Sequence, residues 1–132
     1  MRYMLDTNIC SYILKSHPLS VKAHFEQVGT IYLCISTVVL AELYYGAARH
    51  PKGPAIRKEI GEFVSRLAVI PWDETAADHY GQIRAALEKA GTPIGAMDIM
   101  IAAHAISQGA TLVSNNIRHF DKVPGLLIAN WV

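Results

Sequence analysis

A series of short, nearly uncharged apolar runs, each separated from the next by a segment with helical spacing, sets the strongest limit on what this chain can fold into. The runs are Arg2 to Leu5, Ile31-Tyr32-Leu33-Cys34-Ile35, Ala68-Val69-Ile70, Thr111-Leu112-Val113 and Leu127-Ile128-Ala129. A strand covered by helices on both faces reads as a continuous apolar run, whereas a half-exposed antiparallel strand alternates with polar residues. Between the runs, the sequence predicts helices from Thr7 to about Leu14, from Pro18 with Val21 and Phe25 on one face, and from Ser36 through Val39, Leu40, Leu43 and Tyr44. Further helices are expected from Pro54 to Arg66, from an Asp73 cap to Ala90, and around Asp98 to Gln108, the last two stopped by Gly91 and Gly109. Such alternation predicts an α/β fold: a central parallel sheet of four to five strands flanked by helices on both faces. At 132 residues, with no internal repeat or linker, residues 1–132 are expected to form one domain.

Charge and composition exclude several function classes. The net charge of +1 gives no global signature of a nucleic-acid binder. Two basic stretches, Arg49 to Lys58 and Arg118 to Lys122, are as readily solvated faces as RNA contacts. No apolar stretch is long and uncharged enough to span a bilayer, and Met1-Arg2-Tyr3 does not open a signal peptide, so a cytoplasmic protein with no membrane partner is expected. Cys10 and Cys34 are too few for a zinc ribbon or a disulfide framework and read as buried free thiols. The six histidines show no zinc-ligand spacing and read as surface or core residues. The 52% hydrophobic fraction exceeds what a small core needs and fits a partner interface.

Three acids then stand out by position. Asp6 ends the first apolar run, Glu42 lies two turns into an apolar helix, and Asp98 sits in the first turn of another. Taken singly, Asp6 reads as a helix cap, Glu42 as a solvent-facing residue and Asp98 as an acid favoured by the helix dipole. Taken together, they belong near strand ends, where open α/β sheets carry their ligand crevices. Carboxylates gathered in one crevice repel one another unless a proton or cation intervenes, and an oxygen-only donor set suits Mg²⁺ or Mn²⁺. Phosphodiester hydrolysis by activated water is the chemistry that fits. Thr7, Asn8, Ser36 and Ser114 are placed to orient carboxylates or water, although each also fits a turn or cap.

The chain resembles the PIN-domain ribonucleases, and among them the VapC-type toxins of bacterial toxin–antitoxin pairs. The resemblance runs over the whole length through Met4-Leu5-Asp6-Thr7-Asn8, Ser36 to Gly46, Ile83 to Glu88, Pro93 to Asp98, and Leu112 to Asn116 through Phe120. It implies a PIN-like fold and a Mg²⁺- or Mn²⁺-dependent endoribonuclease with Asp6, Glu42 and Asp98 as metal ligands and catalytic acids. The fourth catalytic position falls on Asn116 where the family often has Asp, which lowers the site's negative charge. Ser114 stands where family members typically carry Thr.

The resemblance also implies a homodimer and a VapB-like antitoxin, with possible assembly into a larger complex that binds operator DNA through the antitoxin. The implied substrate is structured RNA, with the anticodon loop of initiator tRNA favoured, and cleavage there would inhibit translation. The competing expectations are a catalytically silent PIN-fold interaction module, a metal-dependent phosphatase and a DNA nuclease. Intact acids weigh against the first. The missing Gly-rich phosphate loop and the missing DNA-binding appendage weigh against the other two.

Overall fold

The computed structural model describes residues 2–132; Met1, which opens the expected domain, lies outside them. Strands β1 (Tyr3–Leu5), β2 (Leu33–Ser36), β3 (Ala68–Ile70), β4 (Thr111–Val113) and β5 (Ile128–Ala129) form one sheet in the order β3-β2-β1-β4-β5. Every pairing is parallel. Helices α1 (Thr7–Lys15), α2 (Leu19–Val28), α3 (Thr37–Ala48), α4 (Gly53–Val64), α5 (Glu74–Lys89), α6 (Ala96–Ser107) and α7 (Ile117–Phe120) connect and cover the strands.

The strand order fixes where a ligand can bind. From central β1 the chain moves outward to β2 and β3, then returns to lay β4 on the other side of β1. The direction of winding therefore reverses between β1 and β4, and a crevice opens beyond their carboxyl ends. Leu5 pairs with Val113 at that end, so the next residues, Asp6 and Ser114, emerge side by side. The Asp6 amide continues the ladder by donating to the Val113 carbonyl at 3.1 Å.

Met4, Leu5, Cys34, Ile35, Leu112 and Val113 are wholly buried, as the uncharged runs require. Both cysteines are free, and burial pushes the Cys34 thiol up to about 11. The α6 segment Ile101 to Ala105 is buried on nearly every side against α5 and the sheet. Trp72 clamps these layers: its indole Nε1 donates to the Met100 carbonyl at 2.9 Å, and its amide donates to Thr37 Oγ1 at 3.1 Å.

Two local expectations are corrected. Ile31 and Tyr32 lie in a 3-10 turn, and Ile31 is 85% exposed. The second strand begins at Leu33, the residue that registers with Tyr3, so the two preceding apolar residues have no place in the ladder. The helix expected from Pro54 begins at Gly53 and stops at Val64, two residues short of Arg66.

Candidate active site

Asp6 is held from both sides of the reversal point. Its Oδ1 accepts from the Ile9 amide at 2.9 Å, capping α1, while the Ser114 hydroxyl at the end of β4 lies beside the carboxylate. The side chain is 6% exposed. Burial is the largest influence on its carboxyl and pushes it above the ordinary range. The Ser114 hydroxyl and the Ile9 amide oppose that shift, and the negative charges of Asp98 and Glu42 add to it. Cap and buried acid are therefore one residue.

Glu42 reaches the same cleft from the second turn of α3. Among the described residues no basic side chain holds it; the Thr7 hydroxyl donates to Oε1 at 2.7 Å across 35 positions of sequence. Ser36, expected beside the acids, instead caps α3: its Oγ accepts from the Val38 amide at 3.0 Å, and it does not line the cleft. Ser114 works from behind, lying beside Asp6 and accepting from the Asn116 amide at 2.9 Å. That bond shapes the turn delivering Asn116.

Asp98 projects from the first turn of α6, where the helix dipole favours an anion. Its Oδ2 lies 3.2 Å from His119 Nδ1, and that nitrogen is 2.8 Å from Asn116 Nδ2. His119 was not legible as a site residue, because the contact spans 21 positions and follows no ligand motif. Only its place one helical turn after Asn116 hinted at it.

Asp6, Thr7, Asn8, Glu42, Asp98, Ile101 and Asn116 together line a cleft of about 150 Å³ at the carboxyl ends of the strands. Among the described residues, no three His, Cys, Asp or Glu side chains converge closely enough to hold a metal ion as they stand. Each acid is instead turned to a local partner: Asp6 to the Ile9 amide, Glu42 to Thr7 and Asp98 to His119. The donor set nonetheless suits a hard divalent cation, being three carboxylates and an amide around one cleft with a buried acid under mutual repulsion.

Larger hollows lie beside and beyond this cleft. A groove of about 620 Å³ runs between α1, α2 and α4, with Phe25 and Phe63 in its floor and Lys22, Glu26, Glu62 and Arg66 among its lining. A second, of about 280 Å³, extends from Thr7 and Glu42 along α3 to His50 and Ile56. On the outer face of this region Arg57 stacks on Tyr44 and Arg49 on Tyr45. Arg84 pairs with Glu88 at 3.5 Å and donates to the Tyr80 hydroxyl at 2.8 Å on the surface of α5. No helix among the described residues is long and apolar enough to cross a membrane.

Comparison with known proteins agrees with this geometry. The PIN domain family model matches residues 3–126. The tRNA(fMet)-specific endonuclease VapC of Salmonella typhimurium is 42% identical over 131 residues, covering 99% of this chain and 98% of that protein. Ribonuclease VapC2 of Haemophilus influenzae is 44% identical over 132 residues, 100% of this chain and 99% of that protein. Among solved structures, DNA-bound VapBC of Salmonella typhimurium superposes with a TM-score of 0.94 at 42% identity, covering 100% of this chain and 99% of that one. VapBC2 of Rickettsia felis bound to a promoter DNA fragment gives 0.92 at 40% identity, with both chains fully covered.

Proposed function

This chain belongs to the PIN-domain family, and from that membership we propose that it is a VapC-type toxin: a divalent-metal-dependent endoribonuclease that cleaves structured RNA and so stops translation. The observation that carries the proposal is the gathering of Asp6, Glu42, Asp98 and Asn116 into one cleft at the β1–β4 reversal point. The whole of residues 1–132 is taken as a single PIN domain. Mg²⁺ or Mn²⁺ is the expected cation, and initiator tRNA the favoured substrate, since the Salmonella relative carries that specificity in its name.

Asp6, Asp98 and Glu42 would hold the cation. Bound there, a divalent cation supplies Lewis acidity at the scissile phosphate and readies a water for attack. The protein's own groups do the rest. Thr7 fixes Glu42 through Oε1, leaving Oε2 to take a proton from the attacking water as its oxygen bonds phosphorus; the P–O bond to the departing RNA strand breaks and that strand's oxygen takes a proton from solvent water. Asn116, fixed by the Ser114 hydroxyl, offers its amide to orient water or phosphate. Ser114 and the Ile9 amide keep Asp6 in place throughout.

The working unit is proposed as a cytoplasmic homodimer regulated by a VapB-like antitoxin, the complex contacting operator DNA through that antitoxin. Support comes from two neighbours that are toxin–antitoxin complexes bound to DNA. The deciding test is incubation of antitoxin-free protein with total bacterial RNA in Mg²⁺ or Mn²⁺, beside EDTA and Asp98→Ala controls. Discrete fragments lost in both controls establish the nuclease, and end mapping identifies its target. No cleavage by folded, metal-supplied protein would replace the proposal with a silent interaction module.

A further inference from the structure

We propose that the exposed face of α3 beyond Glu42, with the trough it shares with α4, carries the single-stranded RNA beside the cut: Tyr45 stacks a base, and Arg49, His50 and Arg57 hold phosphates. This path presupposes the nuclease reading of the acidic cleft and adds the surface that delivers substrate to it. From Leu43 to Lys58 the sequence holds four lysines and arginines and no acid, in a chain whose net charge is +1. Among the described residues none of these four cations is paired with a carboxylate. Their charge is left to solvent or to an anionic partner.

Continuity with the cleft gives the surface its direction. Thr7 and Glu42 line both the cleft and the hollow of about 280 Å³ along α3. Ala47 and His50 line that hollow and a further one of about 390 Å³, which ends at Tyr44 and Arg57. Glu42, Tyr45, Gly46 and Arg49 follow one another at i, i+3, i+4 and i+7, so they share one face of α3 and its C-terminal cap. Gly46 leaves the floor of the trough bare, and open space surrounds the point where a side chain would begin.

The groups along this path suit a nucleic acid strand. Tyr45 is 65% exposed, with the Arg49 guanidinium 5.4 Å from its ring centroid; Arg57 lies 4.0 Å from the centre of the Tyr44 ring. An aromatic ring braced by a guanidinium offers its open side to a nucleobase, and the guanidinium keeps N–H groups for phosphate. His50 Nδ1 accepts from the Lys52 amide at 3.0 Å, which places the proton of the neutral ring on Nε2 as a further donor. An acidic peptide answers the cations only; a nucleotide answers cations and aromatic faces together. Base faces are available in single strands and loops, not within a duplex.

The test measures fluorescence anisotropy of a labelled, unstructured RNA of roughly 12 nucleotides on Asp98→Asn protein. In parallel, cleavage of total bacterial RNA is followed with the acids intact. All substituted positions on the path are exposed, so the fold is kept. Tyr45→Ala should weaken binding by about fivefold or more with little change in salt dependence, as one lost base stack requires. Arg49→Gln combined with Arg57→Gln should flatten the slope of log affinity against log salt by about 1.4, each single-strand phosphate contact being worth about 0.7. Gly46→Leu leaves every charge and ring in place but fills the floor. It should slow cleavage by about tenfold or more through misplacement of the strand, yet melt at or above the native temperature, since Leu favours helix over Gly. Native binding and cleavage in all these variants, beside native protein that cuts RNA, would overturn the path, leave the nuclease standing and assign the trough to a protein partner. No metal-dependent cleavage by the native protein would overturn the nuclease reading on which the path rests.

Discussion

The Thr7 hydroxyl donates to Glu42 Oε1 at 2.7 Å, joining the first turn of α1 to the second turn of α3 across the acidic cleft. This bond accounts for a glutamate placed among apolar neighbours with no basic residue to neutralise it. A hydrogen bond to a charged group contributes about 1.5–3 kcal/mol, and it also restricts the carboxylate to one of its rotamers.

Thr7→Val keeps the shape of the side chain and removes the donor. RNA cleavage by this variant should fall by roughly 10–100-fold, the range expected when the partner of a metal ligand is lost. Thr7→Ser should retain most of the activity, because the hydroxyl remains. Cleavage rates for the three proteins, measured at equal folded fraction, check the assignment; an unchanged rate in Thr7→Val would remove Thr7 from the mechanism.

Metal should act on stability as well as on activity. Asp6 is buried beside two other negative side chains, so its ionised form opposes folding until a cation arrives. Asp6→Asn keeps the oxygen that caps α1 and removes the charge. In EDTA the variant should melt at or above the temperature of the native protein. Adding Mn²⁺ at about 100 times its dissociation constant should stabilise the native protein by about 2.7 kcal/mol and leave the variant nearly unmoved. Calorimetric scans with and without metal read both outcomes.

The fold was legible because uncharged runs and helical spacing alternate without interruption, and five parallel strands appear where those runs lie. Misplacement came where apolarity was taken for burial. Ile31 is apolar yet exposed, since Gly29, at φ +88°, and the 3-10 turn hold it outside the ladder that begins at Leu33. The four-residue α7 was not expected, because it is too short to carry a periodic signal. In the cleft, Asp6, Glu42 and Asp98 could be singled out as acids at a strand end and within two apolar helices, and Asn116 through the family resemblance. Thr7 could be named as a supporting hydroxyl but not as the partner of Glu42, and His119 could not be named at all, since Thr7–Glu42 and His119–Asp98 are contacts across 35 and 21 positions and exist only once the sheet is assembled. Ser36 illustrates the converse: a hydroxyl beside the motif that caps a helix and never reaches the cleft.

Helices α3 and α4 meet through a close backbone approach at Gly53. A methyl group built on Gly53 would run into the Ala47 carbonyl oxygen, a backbone atom that cannot swing away. Gly53→Ala should therefore destabilise the fold by about 1–3 kcal/mol, the usual cost of overpacking. Gly61→Ala, on the same helix with open space at its Cβ, should be neutral or stabilising. Urea denaturation of the pair separates the close approach from any general intolerance of α4.

His104 supplies the pH dependence that lies outside the cleft. It is wholly buried on α6, and neither ring nitrogen has a hydrogen-bond partner among the described residues. Burial lowers its pKa below the ordinary 6.5, opposed by the negative charge of Asp73 and the nearby Pro71 carbonyl. Unfolded chains therefore bind a proton here near pH 6.5 while the folded protein does not. Because the unfolded state holds more protons in that window, stability is fully present above pH 6.5 and declines as pH falls toward the lowered value in the folded protein. His104→Leu removes both the titrating ring and its two unpartnered nitrogens, so this variant should lose that decline and gain stability at neutral pH. Unfolding free energies of the two proteins measured from pH 7.5 down to 5 test the point: parallel curves would show that His104 finds a proton partner in solution.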